Sequence, residues 1–146
     1  MPALAILLSL LAGLAGSVQA AVMGRFGQRI GIFEALAFSS ALQAGITAVV
    51  LLGVRQSVSG YPAAVRQPAW LWLGGVMGAF IVLSVTLATP RIGAASTIGL
   101  LIAGQLAMSV AIDRLGLFGF PEIGISWPRA LGVALLAVGA ALSLHR

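Results

Sequence analysis

The sequence predicts an all-α membrane protein, and composition and apolar patterning both support this prediction. Of the 146 residues, 60% are hydrophobic and only 8% are charged, and the mean hydropathy is +1.12. A soluble domain of this length needs far more polar surface. The apolar residues also fall in repeated stretches close to the length of about 20 residues that a helix needs to cross a bilayer. The lipid bilayer is therefore the first partner that the sequence predicts.

Five membrane-spanning helices are predicted, all within a single domain of residues 1–146. Their approximate spans are 3–22, 30–54, 69–89, 94–112 and 128–145. Arg25 and Arg29 follow the first span, and the polar connection RQSVSGYPAAVRQP follows the second. Trp70 and Trp72 open the third span, where an interfacial aromatic belt is expected.

Proline and serine residues predict two of the helix boundaries. Pro90 is expected to end the third helix, because proline cannot donate to the helical hydrogen-bond ladder, and the letters PRIG then form a very short turn. Ser126 is expected to cap the fifth helix, and Pro128 suits its first turn.

The fourth span carries two rows of residues at four-residue spacing. Small residues form one row, which is predicted to pack against other helices because small side chains allow close backbone contact in lipid. Polar residues form the other row, roughly opposite on the helix, and are predicted to line a pathway or site. The small row is Ala95, Gly99, Ala103, Ala107 and Ala111; the polar row is Thr97, Gln105, Ser109 and Asp113, interrupted by Leu101.

Other spans repeat parts of this design. Gly74 and Gly78 form a second predicted packing motif, a GxxxG pair in the third span. A polar cavity is predicted between the helices, and its substrate-binding side chains are expected to be Gln19, Ser40, Gln43, Gln105 and Ser109.

Structural roles compete with functional ones for three of the polar residues. Gln105 could form a structural hydrogen bond between helices, an interaction worth about 0.6–2 kcal/mol. Asp113 follows the apolar run next to Arg114, so an ion pair or an anchor competes with gating or proton coupling. Glu34 lies near Arg25 and Arg29 in sequence, and pairing at the interface competes with the proton coupling for which intramembrane carboxylates are often used.

Several function classes are excluded on composition. The chain has no cysteine, one histidine and three acidic residues, which leaves no catalytic triad, no cluster of metal ligands and little acid–base chemistry. We therefore predict neither an enzyme nor a metal site, and no cofactor. The eight basic residues are all arginines scattered between the apolar stretches, whereas a nucleic-acid binder would gather them on one face. Nucleic acid is not an expected partner.

The arginines are balanced across the membrane. With five spans, four arginines fall on the side of the N-terminus and four on the opposite side: Arg55, Arg66, Arg114 and Arg129 against Arg25, Arg29, Arg91 and Arg146. Orientation in the membrane follows the asymmetry of positive charge in short loops, and here there is none. The sequence therefore predicts insertion in both orientations, and an antiparallel homodimer whose two-fold axis lies in the membrane plane.

A family resemblance supports this interpretation. The stretches QAAVMGRFGQRIG, WLWLGGVMGAFIVLSVTLATPRIGAAST, IAGQLAMSVAIDRLGLFG and RALGVALLAVGAAL resemble the YdcZ-like family of the drug/metabolite transporter superfamily. The resemblance implies a five-helix protein of the bacterial inner membrane, often of dual topology and similar to half of a ten-helix, EamA-like exporter. The family usually has an asparagine where this chain has Met23 or Gly24, and a different pattern where this chain has SSALQAG.

Three classes of function are compatible with these predictions. The favoured class is a secondary transporter that exports a small metabolite or organic compound by alternating access, as a dual-topology dimer. The alternatives are a dual-topology ion channel and an accessory membrane subunit that transports nothing.

Overall fold

The computed structural model describes residues 2–57, 60–119, 121–124 and 126–144. In these residues the chain forms six α-helices: α1 (Pro2–Ile30), α2 (Ile32–Arg55), α3 (Gly60–Val65), α4 (Leu73–Ile92), α5 (Ala94–Leu115) and α6 (Trp127–Leu142). Short 3₁₀ turns at Ala69–Trp72 and Leu117–Gly119 precede α4 and follow α5. The all-α prediction is confirmed.

Four stretches of helix are long and apolar enough to cross a membrane: Ala3–Ile30, Ile32–Arg55, Ala69–Ile92 and Ala94–Leu115. The third of these joins the 3₁₀ turn to α4. A shorter apolar helix, α6, has 16 residues, and the last residue of the predicted fifth span, His145, lies outside the described residues. The predicted spans therefore all contain helix, four of them at full spanning length.

The first helix is longer than its apolar run. The span was predicted to stop near Val22, but α1 continues to Ile30 and includes Arg25 and Arg29. Hydropathy marks only the part of a helix that lipid surrounds, whereas the hydrogen-bond ladder can continue past it. The polar connection that follows the second predicted span contains a short helix, α3, which was not predicted.

Single glycines join the helices of both tight hairpins. Gly31, between α1 and α2, has φ 103° and ψ 150°, and Gly93, between α4 and α5, has φ 84° and ψ 159°. The prediction that Pro90 ends its helix is wrong, since Pro90 lies inside α4. Only three helix positions remain from Pro90 to Ile92, so the missing proline N–H removes one hydrogen bond close to an end that Gly93 terminates.

Ser126 stands at the N-cap position of α6 in an extended conformation, and Pro128 lies in the first turn. The Ser126 side chain makes no capping hydrogen bond, so the position was predicted correctly and the capping interaction was not.

The described residues cluster into two compact units. In the unit of residues 22–87, Phe26 and Phe38 meet edge to face with their ring centroids 5.7 Å apart, which joins α1 to α2. Gly27 lies so close to Thr86 of α4 that an added Cβ would stand 2.7 Å from Thr86 Cγ2. Thr86 is 1% exposed and donates its hydroxyl to the carbonyl of Val82, so the centre of this unit is built around a satisfied polar side chain.

The other unit contains residues up to Ala21 and from Ala88 onward, and its contacts join α5 to α6. Ser96 donates a hydrogen bond of 2.6 Å to the carbonyl oxygen of Ser143. Near the opposite ends of the same two helices, Arg129 Nη1 lies 2.9 Å from Asp113 Oδ2. Ala140 is buried between these two contacts.

Large apolar side chains cover the outside of the long helices. Leu7, Phe33, Val49, Phe80 and Leu135 are each more than half exposed. Such a surface is an aggregation hazard in water, but lipid solvates it, and the interior packs through small and hydroxyl-bearing residues instead.

Candidate functional site

All five predicted substrate-binding side chains lie on the exposed surfaces of long helices. Gln19 belongs to α1, Ser40 and Gln43 to α2, and Gln105 and Ser109 to α5. Among the residues that the structure describes, neither the Gln43 nor the Gln105 amide has a hydrogen-bond partner. Whether the five side chains line one cavity stays a prediction.

The glutamines are accompanied by hydroxyl groups one turn later. Thr47 Oγ1 donates to the carbonyl oxygen of Gln43 at 2.9 Å, and Ser109 Oγ donates to that of Gln105 at 2.8 Å. Each hydroxyl is thereby satisfied by its own helix, and each glutamine side chain keeps its donors and acceptor for something else.

The polar row of α5 divides into a packed part and an exposed part. Thr97 is buried and donates to the carbonyl oxygen of Gly93. Gln105 and Ser109 are exposed, and Asp113 is half-buried. The position of Thr97 at the N-terminal end of the helix therefore suits packing, whereas the middle of the helix holds the available polar groups.

Within the small row, Gly99 makes the closest approach to a neighbour. An added Cβ would lie 3.5 Å from the Cα of Ala140 in α6, and Ala103 and Ala111 are half-buried on the same helix. Ala95 and Ala107 are exposed. An added Cβ at Gly74 or Gly78 would meet no atom within 4 Å, so that part of α4 offers an open, small-residue surface.

Glu34 does not make the ion pair that its neighbours in sequence suggested. It is the third residue of α2, and its carboxylate lies against Gly31, where an added Cβ would stand 2.8 Å from Glu34 Cδ. Arg25 Nη1 instead contacts Gln28 Oε1 at 3.4 Å. Within the described part of the chain Glu34 has no arginine partner, and its side chain folds back over the glycine turn.

Asp113 pairs with a different arginine from the one beside it. Arg129 of α6 binds the Asp113 carboxylate; the Asp113 side chain is 27% exposed and the Arg129 side chain is 45% exposed. The backbone N–H of Ile123 also donates to the carbonyl oxygen of Asp113 at 2.8 Å. These contacts fasten the connection between α5 and α6. A partly exposed pair of this kind contributes about 0–1 kcal/mol in water, so its main effect is to hold the two helices in position.

An open pocket lies at the end of α2. Its described lining residues are Leu51, Arg55, Ser57 and Gly60, and none of them belongs to the predicted substrate-binding set. No three potential metal ligands of the His, Cys, Asp or Glu type come together in the described ranges.

Sequence reasoning missed three interhelical contacts. Ser96 with Ser143, Thr86 beside Gly27, and the Ser39 hydroxyl that donates to the Met23 sulfur at 3.0 Å were not singled out. Met23 occupies one of the two positions where the resemblance suggested an asparagine. The available sequence signal for such contacts was a hydroxyl-bearing residue three or four positions from a small residue. This pattern recurs too often along the chain to identify these three pairs.

Comparison with known proteins identifies the family. A family model described as "Putative inner membrane exporter, YdcZ" matches residues 4–142. The chain belongs to the YdcZ family. It is also 29% identical to the "Inner membrane protein YdcZ" of Escherichia coli (strain K12) over 136 residues, which cover 92% of this chain and 91% of the relative. No solved structure matches the chain significantly.

Family membership and the four long apolar helices identify a multi-pass protein of the inner membrane with a transporter-like role. The family is one of membrane exporters and not of enzymes.

Proposed function

We propose that this YdcZ-family protein is a secondary exporter of a small metabolite or organic compound, which works by alternating access as a dual-topology homodimer. The observation that carries the proposal is the exposed amide of Gln105 in the middle of α5. An amide without partners is costly in hydrocarbon, since no water can satisfy it there. A water-filled path that also admits a polar solute removes this cost.

The two kinds of contact on α5 support the same proposal. Gly99 lies against α6 through backbone and small side chains, which leaves the exposed Gln105 surface outside this packing. Transporters place their substrate sites near the bilayer midplane, and Gln105 is the twelfth of the 22 residues of α5.

The first test removes the amide. We expect the Gln105→Leu variant to insert, fold and dimerise as the wild type does, because the side chain is exposed on its helix. A thermal-shift screen on the purified wild type selects a compound that raises the melting temperature. Such a compound stabilises by about 2.7 kcal/mol at 100 times its Kd, and this stabilisation is expected to disappear in Gln105→Leu.

Met108→Leu is the matched control, since Met108 is exposed on the same helix and the change conserves volume. It should keep the compound-induced shift. Proteoliposome flux of the same compound should saturate with concentration, whereas a channel would give large passive currents. An unchanged shift in Gln105→Leu would refute the assignment of this side chain to the substrate.

The second test concerns orientation, and it follows from the four-to-four arginine balance. The chain has no cysteine, so Gln67→Cys and Gln28→Cys each introduce a single thiol, in the connection before α4 and near the end of α1. With a membrane-impermeant thiol reagent on intact inner-membrane vesicles, we expect about half of the copies of each variant to react. Full labelling of one variant with full protection of the other would show a single orientation.

A further inference from the structure

The two tight hairpins of the chain share a sequence pattern. Arg-Ile-Gly occurs at residues 29–31 and again at residues 91–93, which is 62 residues later. At the same offset, Ala41 matches Ala103 and Gln43 matches Gln105, and the hydroxyl-bearing Thr47 corresponds to Ser109. The α1–α2 and α4–α5 hairpins therefore look like copies of one element.

The backbone repeats with the sequence. Both glycines adopt positive φ with an extended ψ, and each one alone separates two helices. The N–H of Gly31 donates to the Gly27 carbonyl at 3.1 Å, and that of Gly93 donates to the Thr89 carbonyl at 3.0 Å. The carbonyl of each glycine then accepts the N–H four residues on, at 3.1 Å in both cases. The hydroxyl-to-carbonyl bonds at Gln43 and Gln105 match as well.

Equal spacing from the glycines gives the two glutamines equivalent places in their helices. Gln43 is the twelfth of the 24 residues in α2, and Gln105 is the twelfth of the 22 residues in α5. At 1.5 Å per residue, each lies about 17 Å from the N-terminal end of its helix. For a helix that spans the bilayer, this is close to the midplane.

Charged side chains avoid the middle of every long helix. Each one lies within the first three or the last six residues of its helix: Arg25 and Arg29 in α1, Glu34 and Arg55 in α2, Arg91 in α4, Asp113 and Arg114 in α5, and Arg129 in α6. A charged solute that reaches the midplane would find no counter-charge there, and an unpaired charge at that depth is costly.

We propose that Gln43 and Gln105 are equivalent recognition positions in a duplicated hairpin, and that each binds an uncharged, hydrogen-bonding solute through its neutral amide. This inference rests on the proposed export function and names its substrate class. An amide donates and accepts hydrogen bonds without carrying charge, so it suits hydroxyl, carbonyl and amide groups. Exchange of a proton for a cation at a central carboxylate is not available to this chain, because no carboxylate lies in the middle of a helix.

Thiol labelling tests both parts of the inference with the full chain in proteoliposomes. Three methanethiosulfonates of similar size serve as probes: hydroxyethyl (neutral), trimethylammonioethyl (cationic) and sulfonatoethyl (anionic). Gln43→Cys and Gln105→Cys are compared with Ala41→Cys and Ala103→Cys, which sit two residues earlier and about 200° round the same helices. Gln67→Cys, in a connection outside the long helices, gives the reference rate for each reagent.

We expect both glutamine positions to react with the neutral reagent about tenfold faster than their alanine controls, since water reaches only the glutamine side. The rate of each reagent at a glutamine position is divided by its rate at Gln67→Cys. This ratio should be about tenfold larger for the neutral reagent than for either charged reagent. The four positions are exposed or half-buried, so the cysteine variants leave no large cavity, and unchanged melting temperatures verify their folding.

Reaction at only one glutamine position would overturn the equivalence, and reaction no faster than at the alanines would overturn the wet amide surface. Preference for a charged reagent would overturn the uncharged substrate class. A protein that gives the expected labelling but exchanges no solute would instead reject export and leave the duplicated amide positions intact, so the two failures are distinguishable.

Discussion

Replacing Gly99 by leucine is expected to break the packing of α5 on α6 and to lower the melting temperature sharply. A Cβ at Gly99 would already stand 3.5 Å from the Ala140 Cα and 3.6 Å from its Cβ, with Ser143 Oγ at 3.7 Å. A leucine side chain has three further carbon atoms, which would collide with the α6 backbone. A backbone cannot move aside as easily as a side chain can. Overpacking of this kind costs about 1–3 kcal/mol, occasionally more.

The hydrogen bond between Ser96 and Ser143 should also break in the Gly99→Leu variant. Ser96 reaches the Ser143 carbonyl at 2.6 Å from the same side of α5, one turn from Gly99. Moving α6 away would leave a buried hydroxyl without its partner, and such a loss adds to the cost. Melting of the detergent-purified protein measures the total.

Gly104→Leu is the matched control for Gly99→Leu. It makes the same change in the same helix, where an added Cβ would meet nothing within 4 Å. Leucine has a higher helix propensity than glycine by up to about 1 kcal/mol, so the control should melt at the same temperature as the wild type or higher. Equal losses in the two variants would mean that α5 does not pack on α6 through Gly99.

The existence of the long helices could be predicted from the sequence because lipid imposes a simple length and polarity rule on each one. The ends of these helices could not be predicted in this way, because the rule applies only to the part of a helix that lies in lipid. Arg25 and Arg29 are polar enough to end an apolar run, yet they continue the hydrogen-bond ladder of α1. At the other hairpin the glycine and not the proline sets the boundary, because positive φ redirects the chain whereas a proline so near a helix end removes only one bond.

The candidate site divides in the same way. The shared face of Gln105 and Ser109 could be predicted from four-residue spacing, since helical geometry fixes which side chains share a face. That this face binds a substrate stays a prediction. Ion-pair partners could not be predicted from the sequence, because they depend on which helix ends lie close together in the fold. Arg114 is next to Asp113 in sequence, but Arg129 of α6 binds it. Glu34 lies within a few turns of two arginines and contacts a glycine instead.

Alanine at either hairpin glycine is expected to destabilise the protein by about 1–3 kcal/mol, because a positive φ with an extended ψ is essentially restricted to glycine. Gly31 has φ 103° and Gly93 has φ 84°. Gly31→Ala should cost only slightly more than Gly93→Ala, because its methyl group would also displace the Glu34 carboxylate, which stands at the end of a flexible side chain. Melting temperatures in detergent provide the comparison, with Gly53→Ala in α2 and Gly104→Ala in α5 as controls that should be stabilising.

A double-mutant cycle separates strain from collision at Gly31. Glu34→Ala removes the carboxylate, so in that background Gly31→Ala should lose only the backbone term and cost about as much as Gly93→Ala does alone. The difference between the two backgrounds then measures the contact between Glu34 and the turn. If Gly31→Ala costs the same with and without Glu34, the carboxylate moves aside at no cost and only the backbone strain remains. If either glycine accepts alanine at no cost, that hairpin does not turn through positive φ, and the two hairpins are not copies of one element.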